Sequence, residues 1–142
     1  MPWRAAFFDH VSKVFAPRPL GRRGEDAAAR YVKKMGYVIV AQSQRDQIGE
    51  IDLIAVDGRT IVFIEVKNRT SHDAGHPADA VDEKKQQRLT RLALSYLKRH
   101  DLLECAARFD VVAVTWPGDN GRPTIEHFKN AFEPVGFPGM FS

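Results

Sequence analysis

Apolar and polar residues alternate through the middle of the chain and recur at helical spacing on either side of it. The alternation is clearest over residues 49–67, GEIDLIAVDGRTIVFIEVK, where two runs rich in β-branched and apolar residues flank Asp57-Gly58. Asp-Gly between such runs is a strong hairpin signal. Successive side chains of a strand point to opposite faces. In the first run Glu50, Asp52, Ile54 and Val56 therefore share a face, with Ile51, Leu53 and Ala55 behind them. In the second run Ile61, Phe63, Glu65 and Lys67 share a face opposite Val62, Ile64 and Val66.

Outside the hairpin the period changes. Ala28, Tyr31, Val32 and Met35 follow the i, i+3, i+4, i+7 spacing and predict a helix over about 22–35, ending near Gly36. Glu25 and Asp26 fall in its first turn, where the helix dipole favours negative charge. Leu89, Leu92, Ala93, Tyr96 and Leu97 predict a second helix over about 79–100. Residues 37–42 and 108–116 read as strands, 124–128 as a final edge strand, and 43–48 as a polar turn into the hairpin. The polar stretch NRTSHDAGHPAD after Lys67 reads as a loop, with His72 and His76 exposed on it. Residues 1–19 form an extension with a short amphipathic helix over 5–15 carrying Phe7, Phe8 and Val11, closed by Pro17 and Pro19. Packing of that helix on the domain, or on a second copy of the chain in a homodimer, is expected ahead of weak contact with a membrane surface. Residues 20–132 are expected to form one α/β domain, and 133–142 an irregular tail.

Composition narrows the class without changing this picture. In 142 residues, 44% are hydrophobic and 27% charged, as expected of an ordinary globular domain, and the formal net charge of +3 permits polyanion binding. Cys105 is the only cysteine, which excludes an internal disulfide and a cysteine zinc site. The first residues contain too short an apolar run for a signal peptide, and no stretch reaches membrane-spanning length, so a cytoplasmic location and no membrane contact are expected.

The chemistry sits in the hairpin, and loop length decides what meets. A two-residue loop pairs Val56 with Arg59 and sets Asp52 across from Phe63. A three-residue loop puts Asp52 and Glu65 on different faces unless a bulge corrects it. A four-residue loop pairs Val56 with Ile61, Asp52 with Glu65 and Glu50 with Lys67, and is the register expected here. Two carboxylates about 4 Å apart repel by roughly 4 kcal/mol at an effective dielectric near 20, which pushes one pKa well up. The partners available are a proton, Lys67 or a divalent cation such as Mg²⁺, which takes oxygen ligands. A surface ion-pair ladder fits less well, because Glu65 and Lys67 interrupt a strand apolar on both faces. On the second helix Lys84, Lys85, Arg88 and Arg91 make a lopsided basic surface suited to phosphate contacts.

The segments LGRRGEDAA, GEIDLIAVDG, VFIEVKNR, AVDEKKQQRL, RFDVVAV and NAF, spread over residues 20–132, resemble the YraN family of predicted bacterial endonucleases. The pattern of Asp52, a hairpin, then Glu65-Val66-Lys67 resembles the wider PD-(D/E)xK superfamily. Ile51 stands where the superfamily name puts proline, and Ser43 where this family has asparagine. The resemblance implies a restriction endonuclease-like αβββαβ core with a mixed central sheet flanked by helices. It also implies a site in which Asp52 and Glu65 bind Mg²⁺ or Mn²⁺ and Lys67 is the active-site lysine. Glu25 would then be an auxiliary acid from the first helix, with Lys85 or Gln86 pointing in from the second and Glu50 sharing a second metal or pairing with Lys67.

The function expected on these grounds is metal-dependent hydrolysis of phosphodiester bonds in branched, nicked or single-stranded DNA. A bound cation can polarise the phosphate and acidify a water. Lys67, as a lysine charged at pH 7, suits charge stabilisation and water positioning better than outright proton abstraction. The alternatives are a non-catalytic nucleic-acid-binding protein of the same fold and a structural or interaction protein docking through Phe7, Phe8 and the aromatic tail. Retention of Asp52, Glu65 and Lys67 favours the enzyme, since a binding module has no need of them.

Overall fold

The architecture, taken from a computed structural model that describes residues 23–70, 81–118 and 121–136, is a five-stranded mixed sheet with a helix on each face. The elements run α1 (Arg23–Lys34), β1 (Val38–Arg45), β2 (Glu50–Asp57), β3 (Thr60–Thr70), α2 (Glu83–Arg99), β4 (Ala107–Trp116) and β5 (Thr124–Phe132). In the sheet they lie in the order β1-β2-β3-β4-β5, antiparallel except for β3 beside β4. The parallel pair requires a crossover, which α2 provides. This is the expected α/β class and the αβββαβ order, with β5 added at the edge. The extension 1–19, His72 and His76 lie outside the described residues.

Two cores follow from the two faces. One gathers Ile54, Val56, Ile61, Phe63, Phe109 and Val111 under the α2 stripe of Leu89, Leu92, Ala93, Tyr96 and Leu97. The other gathers Leu53, Ala55, Val62, Ile64, Val112 and Val114 under Ala27, Ala28, Ala29 and Val32 of α1. Strands β3 and β4 are buried on both faces, as central parallel strands are, and this explains their near-continuous apolar runs.

Several boundaries depart from the sequence pattern. The α1 stripe stops at Val32, because the chain leaves the helix at Lys34 and turns through Gly36 at φ +99°. Met35 is 51% exposed rather than part of the core. Helix α2 starts at Glu83, where Asp82 caps it by accepting the Lys85 N–H at 2.8 Å. Strand β1 runs on to Arg45, β3 to Thr70 and β5 to Phe132, so segments that read as polar loop are paired strand. Pairing with a neighbour satisfies the backbone of such segments whatever their side chains. No helix among the described residues is long and apolar enough to cross a membrane.

The hairpin has the expected Val56↔Ile61 register, but its ladder closes one pair further, at Asp57↔Thr60. The turn is therefore Gly58-Arg59, with Gly58 at φ +63°, the first central position that favours glycine in a type II′ hairpin. Asp57 is freed from the turn and binds Arg108 at 3.0 Å.

Candidate active site

The β2–β3 ladder runs from Asp57↔Thr60 to Leu53↔Ile64 and stops there. At the next step the Asp52 carboxylate takes over, and its Oδ2 accepts the Val66 backbone N–H at 2.8 Å. A side chain replacing a rung frees β2 from strict alternation. Ile51 consequently packs in the α2 core beside Ile54, not with Leu53 and Ala55 as alternation predicts. Glu50 and Asp52 come together with Glu25 from α1, on the other face.

Gly24 explains how α1 comes so close. A Cβ on Gly24 would stand 2.8 Å from the Asn68 side chain on β3, closer than carbon atoms tolerate. With glycine there, the first turn of α1 settles onto the sheet and Glu25 reaches β2. One carboxylate oxygen from each of Glu25, Glu50 and Asp52 lies within 4.8 Å of the other two. Ser43 Oγ donates to Glu25 Oε2 at 2.7 Å, and Arg45 Nη2 binds Glu50 Oε2 at 2.9 Å. Ser43 holds a left-handed backbone (φ +53°), a conformation that asparagine adopts more readily.

Burial, the Glu65 charge and the charge and hydrogen bond of Glu25 push the Asp52 carboxyl up to about 8 against an ordinary value of 3.8, although the Val66 N–H opposes the rise. Repulsion between the two hairpin carboxylates, expected from their register to be the main cause, is thus real but second to burial. Glu65 itself has a partner. Lys85 reaches over from α2 to place Nζ 2.5 Å from Glu65 Oε1, and the Glu65 side chain is only 10% exposed. Glu50, expected to face Lys67, pairs with Arg45 instead, because the rotation at Asp52 turns it towards β1. Lys67 lies two residues beyond Glu65 on β3, half-buried and level with Ala113 of β4.

Of the basic residues expected to meet phosphate, Lys84, Arg88 and Arg91 are exposed on α2. Lys85 points to the site. Gln86 does not, since its Nε2 donates to the Val81 carbonyl at 2.9 Å and closes the start of the helix.

A second polar group, which neither periodicity nor motif spacing singles out, lies below the site. Asp110, fully buried on β4, receives Arg108 Nε at 2.9 Å, His127 Nε2 at 2.7 Å and the Asn130 N–H at 3.0 Å. Burial alone would raise the Asp110 carboxyl, but these bonds hold it below the usual carboxylate range. Arg108 also donates to Tyr37 Oη at 2.6 Å, and burial together with the Asp110 charge raises that phenol to about 12. The available signal was the pair Arg108 and Asp110 on one face of a strand otherwise apolar on both. Cys105 is half-buried against the α2 core, as a small packing residue.

Every residue of this geometry from Glu25 to Asp110 falls within one matched region. The model of the family described as "Uncharacterised protein family UPF0102" matches residues 24–114. A UPF0102 protein of Rhodopirellula baltica is 54% identical over 125 residues, covering 86% of this chain and 75% of its own. UPF0102 proteins of Geobacter metallireducens and Geobacter sulfurreducens are 44% and 45% identical, covering 82% and 80% of this chain and 93% and 88% of their own.

Proposed function

The chain belongs to the UPF0102 family, and from the chemistry of its site we propose that it is a divalent-metal-dependent nuclease hydrolysing phosphodiester bonds in DNA. The observation that carries this reading is the convergence of Glu25, Glu50 and Asp52 from two elements, with the half-buried Asp52 carboxyl pushed up to about 8. Three half-buried acids brought this close repel one another even with Arg45 beside Glu50, and a bound cation relieves that repulsion. An all-oxygen donor set of this kind fits Mg²⁺ or Mn²⁺. Asp52, Glu50 and Glu25 would hold the ion, with Glu65 beside them. When bound, the ion polarises a phosphoryl oxygen and lowers the pKa of a water.

The remaining roles belong to the chain itself. Asp52 releases its proton as the site fills, and its Oδ2 stays fixed by the Val66 N–H. Ser43 orients Glu25, and Arg45 orients Glu50. Lys67 supplies a positive charge on the strand next to the carboxylates, suited to stabilising a phosphorane-like charge and positioning the attacking water. Lys84, Arg88 and Arg91 offer phosphate contacts along α2. The substrates favoured are branched, nicked or single-stranded DNA, in a cytoplasmic setting.

A second reading, a binding protein of nuclease fold, draws on the Lys85–Glu65 pair, which already gives Glu65 a cationic partner. The two separate in one experiment. Pure protein is incubated with branched, nicked, single-stranded and duplex DNA and with RNA, in Mg²⁺, Mn²⁺ or EDTA. The nuclease cuts at least one substrate in metal and none in EDTA, and loses this with Asp52→Asn or Glu65→Ala. Binding without cleavage under every metal leaves the second reading standing.

A further inference from the structure

Across the sheet from the carboxylates, three residues from three elements form a fixed stack. The Arg23 guanidinium carbon stands 5.0 Å over the Trp116 ring. The Trp116 indole N–H donates to Asn68 Oδ1, and the Asn68 amide is backed by Gly24. Arg23 is exposed at the start of α1, and among the described residues no ion pair engages it. Trp116, at the end of β4, is partly buried against the α1 core.

We propose that this stack is a backbone clamp in which Trp116 and Asn68 hold Arg23 in place to grip a phosphate flanking the one cut. The inference rests on the nucleic-acid reading above and adds to it a positioning residue on the opposite flank from α2. A guanidinium stacked on an aromatic ring keeps its in-plane N–H donors free for a phosphate, and the stacking removes part of the rotamer freedom otherwise lost on binding. A solvated surface arginine needs no indole beneath it and no amide locking that indole.

The spacing suits a nucleic-acid strand. Asp52 lies on β2 level with the Glu65–Val66 step of β3, and Trp116 lies on β4 level with Thr70. Two strands across at about 4.8 Å each, and four to five residues along at about 3.3 Å each, separate them by roughly 17 Å, about five nucleotide rises of roughly 3.4 Å. The backbone would therefore cross the end of the sheet from the carboxylates, over β3, to Arg23. Helix α2 lies against the other face, so Arg88 and Arg91 cannot substitute for this contact.

The test is equilibrium binding of a fluorescein-labelled single-stranded oligonucleotide and the matching duplex, titrated with salt in EDTA so that nothing is cut. Arg23→Ala should weaken binding roughly tenfold, as expected for a lost charge-assisted hydrogen bond. It should also flatten the log–log salt slope by about 0.7 on the single strand and about 0.9 on the duplex. Arg23→Lys should keep the slope and lose part of the affinity. Trp116→Leu leaves the charge but releases it, and should weaken binding by roughly two- to fivefold. The double variant Arg23→Ala/Trp116→Leu should bind within about twofold of Arg23→Ala, because the two act as one unit. Thermal melting of each variant confirms that it is folded. An Arg23→Ala protein with wild-type affinity and slope overturns the clamp and leaves the nuclease reading intact if cleavage persists. A Trp116→Leu effect that simply adds to that of Arg23→Ala also overturns it. A wild-type chain that binds no nucleic acid overturns the parent reading, and the clamp with it.

Discussion

Lys85 Nζ of α2 stands 2.5 Å from Glu65 Oε1 of β3, so the protein supplies its own cation to one acid of the site. Lys85→Met should therefore destabilise the metal-free protein. Removing one partner of a fully buried pair costs about 3–5 kcal/mol, and with Lys85 35% exposed the loss should be nearer 1–3 kcal/mol. The same variant should respond more strongly to metal, since Glu65 is left without a partner. Melting temperatures with and without Mn²⁺ check both parts. An unchanged Tm in EDTA would mean that the pair is only a surface contact.

The proton held by Asp52 makes the metal-free protein sensitive to pH. The folded carboxyl is pushed up to about 8, above its ordinary 3.8, mainly by burial. The folded state thus holds a proton that the unfolded state releases, and stability falls wherever the unfolded chain binds fewer protons. The stabilisation is complete below about pH 4 and is lost progressively up to about pH 8. Urea melts in EDTA at pH 5 and pH 8.5 should show it as a lower midpoint at the higher pH with an unchanged slope m. Asp52→Asn should remove this dependence. Metal at 100 times its dissociation constant should restore about 2.7 kcal/mol at pH 8.5.

Lys67 separates an enzyme from a binding protein. Lys67→Ala should leave metal binding intact, because the carboxylates remain, and should weaken nucleic-acid binding only slightly. Cleavage should fall by about 10²–10⁴-fold, the worth of a positioned proton-transfer or charge-stabilising group. Lys67→Arg should also be poor, since a planar guanidinium does not take the place of a compact ammonium. Single-turnover cleavage with saturating protein reads the chemical step directly. Activity that survives both Lys67→Ala and Glu65→Ala belongs to a contaminant.

The Asp110 group should carry stability and no catalysis. Asp110→Leu leaves Arg108 and His127 without their shared acceptor and should cost about 3–5 kcal/mol. Replacing Arg108 by leucine as well should recover part of that loss. Because the folded Asp110 carboxyl is depressed, its contribution is present above about pH 4 and disappears as acid titrates the folded group. Denaturant midpoints for the single and double variants at pH 7 and pH 3 test the sign.

The elements themselves were legible in the chain because their signals are local. The α2 stripe of Leu89, Leu92, Ala93, Tyr96 and Leu97 is buried as its period predicts. The hairpin register follows from alternation together with a turn near Gly58. The acids Glu50, Asp52 and Glu65 were identifiable as polar residues interrupting apolar strands. Their partners were not, because each is chosen by a contact between segments distant in sequence. Alternation assigns Ile51 and Asp52 to faces on the premise of an unbroken ladder, and the Asp52 side chain breaks that ladder by taking the Val66 N–H. Once β2 rotates there, Glu50 turns to Arg45 and away from Lys67. Glu25 joins the acids only because Gly24 lets α1 settle against Asn68, and Lys85 reaches Glu65 only because the crossover lays α2 on that face. Local periodicity decides which residues are buried, but which charges then meet is decided by how closely the buried surfaces pack.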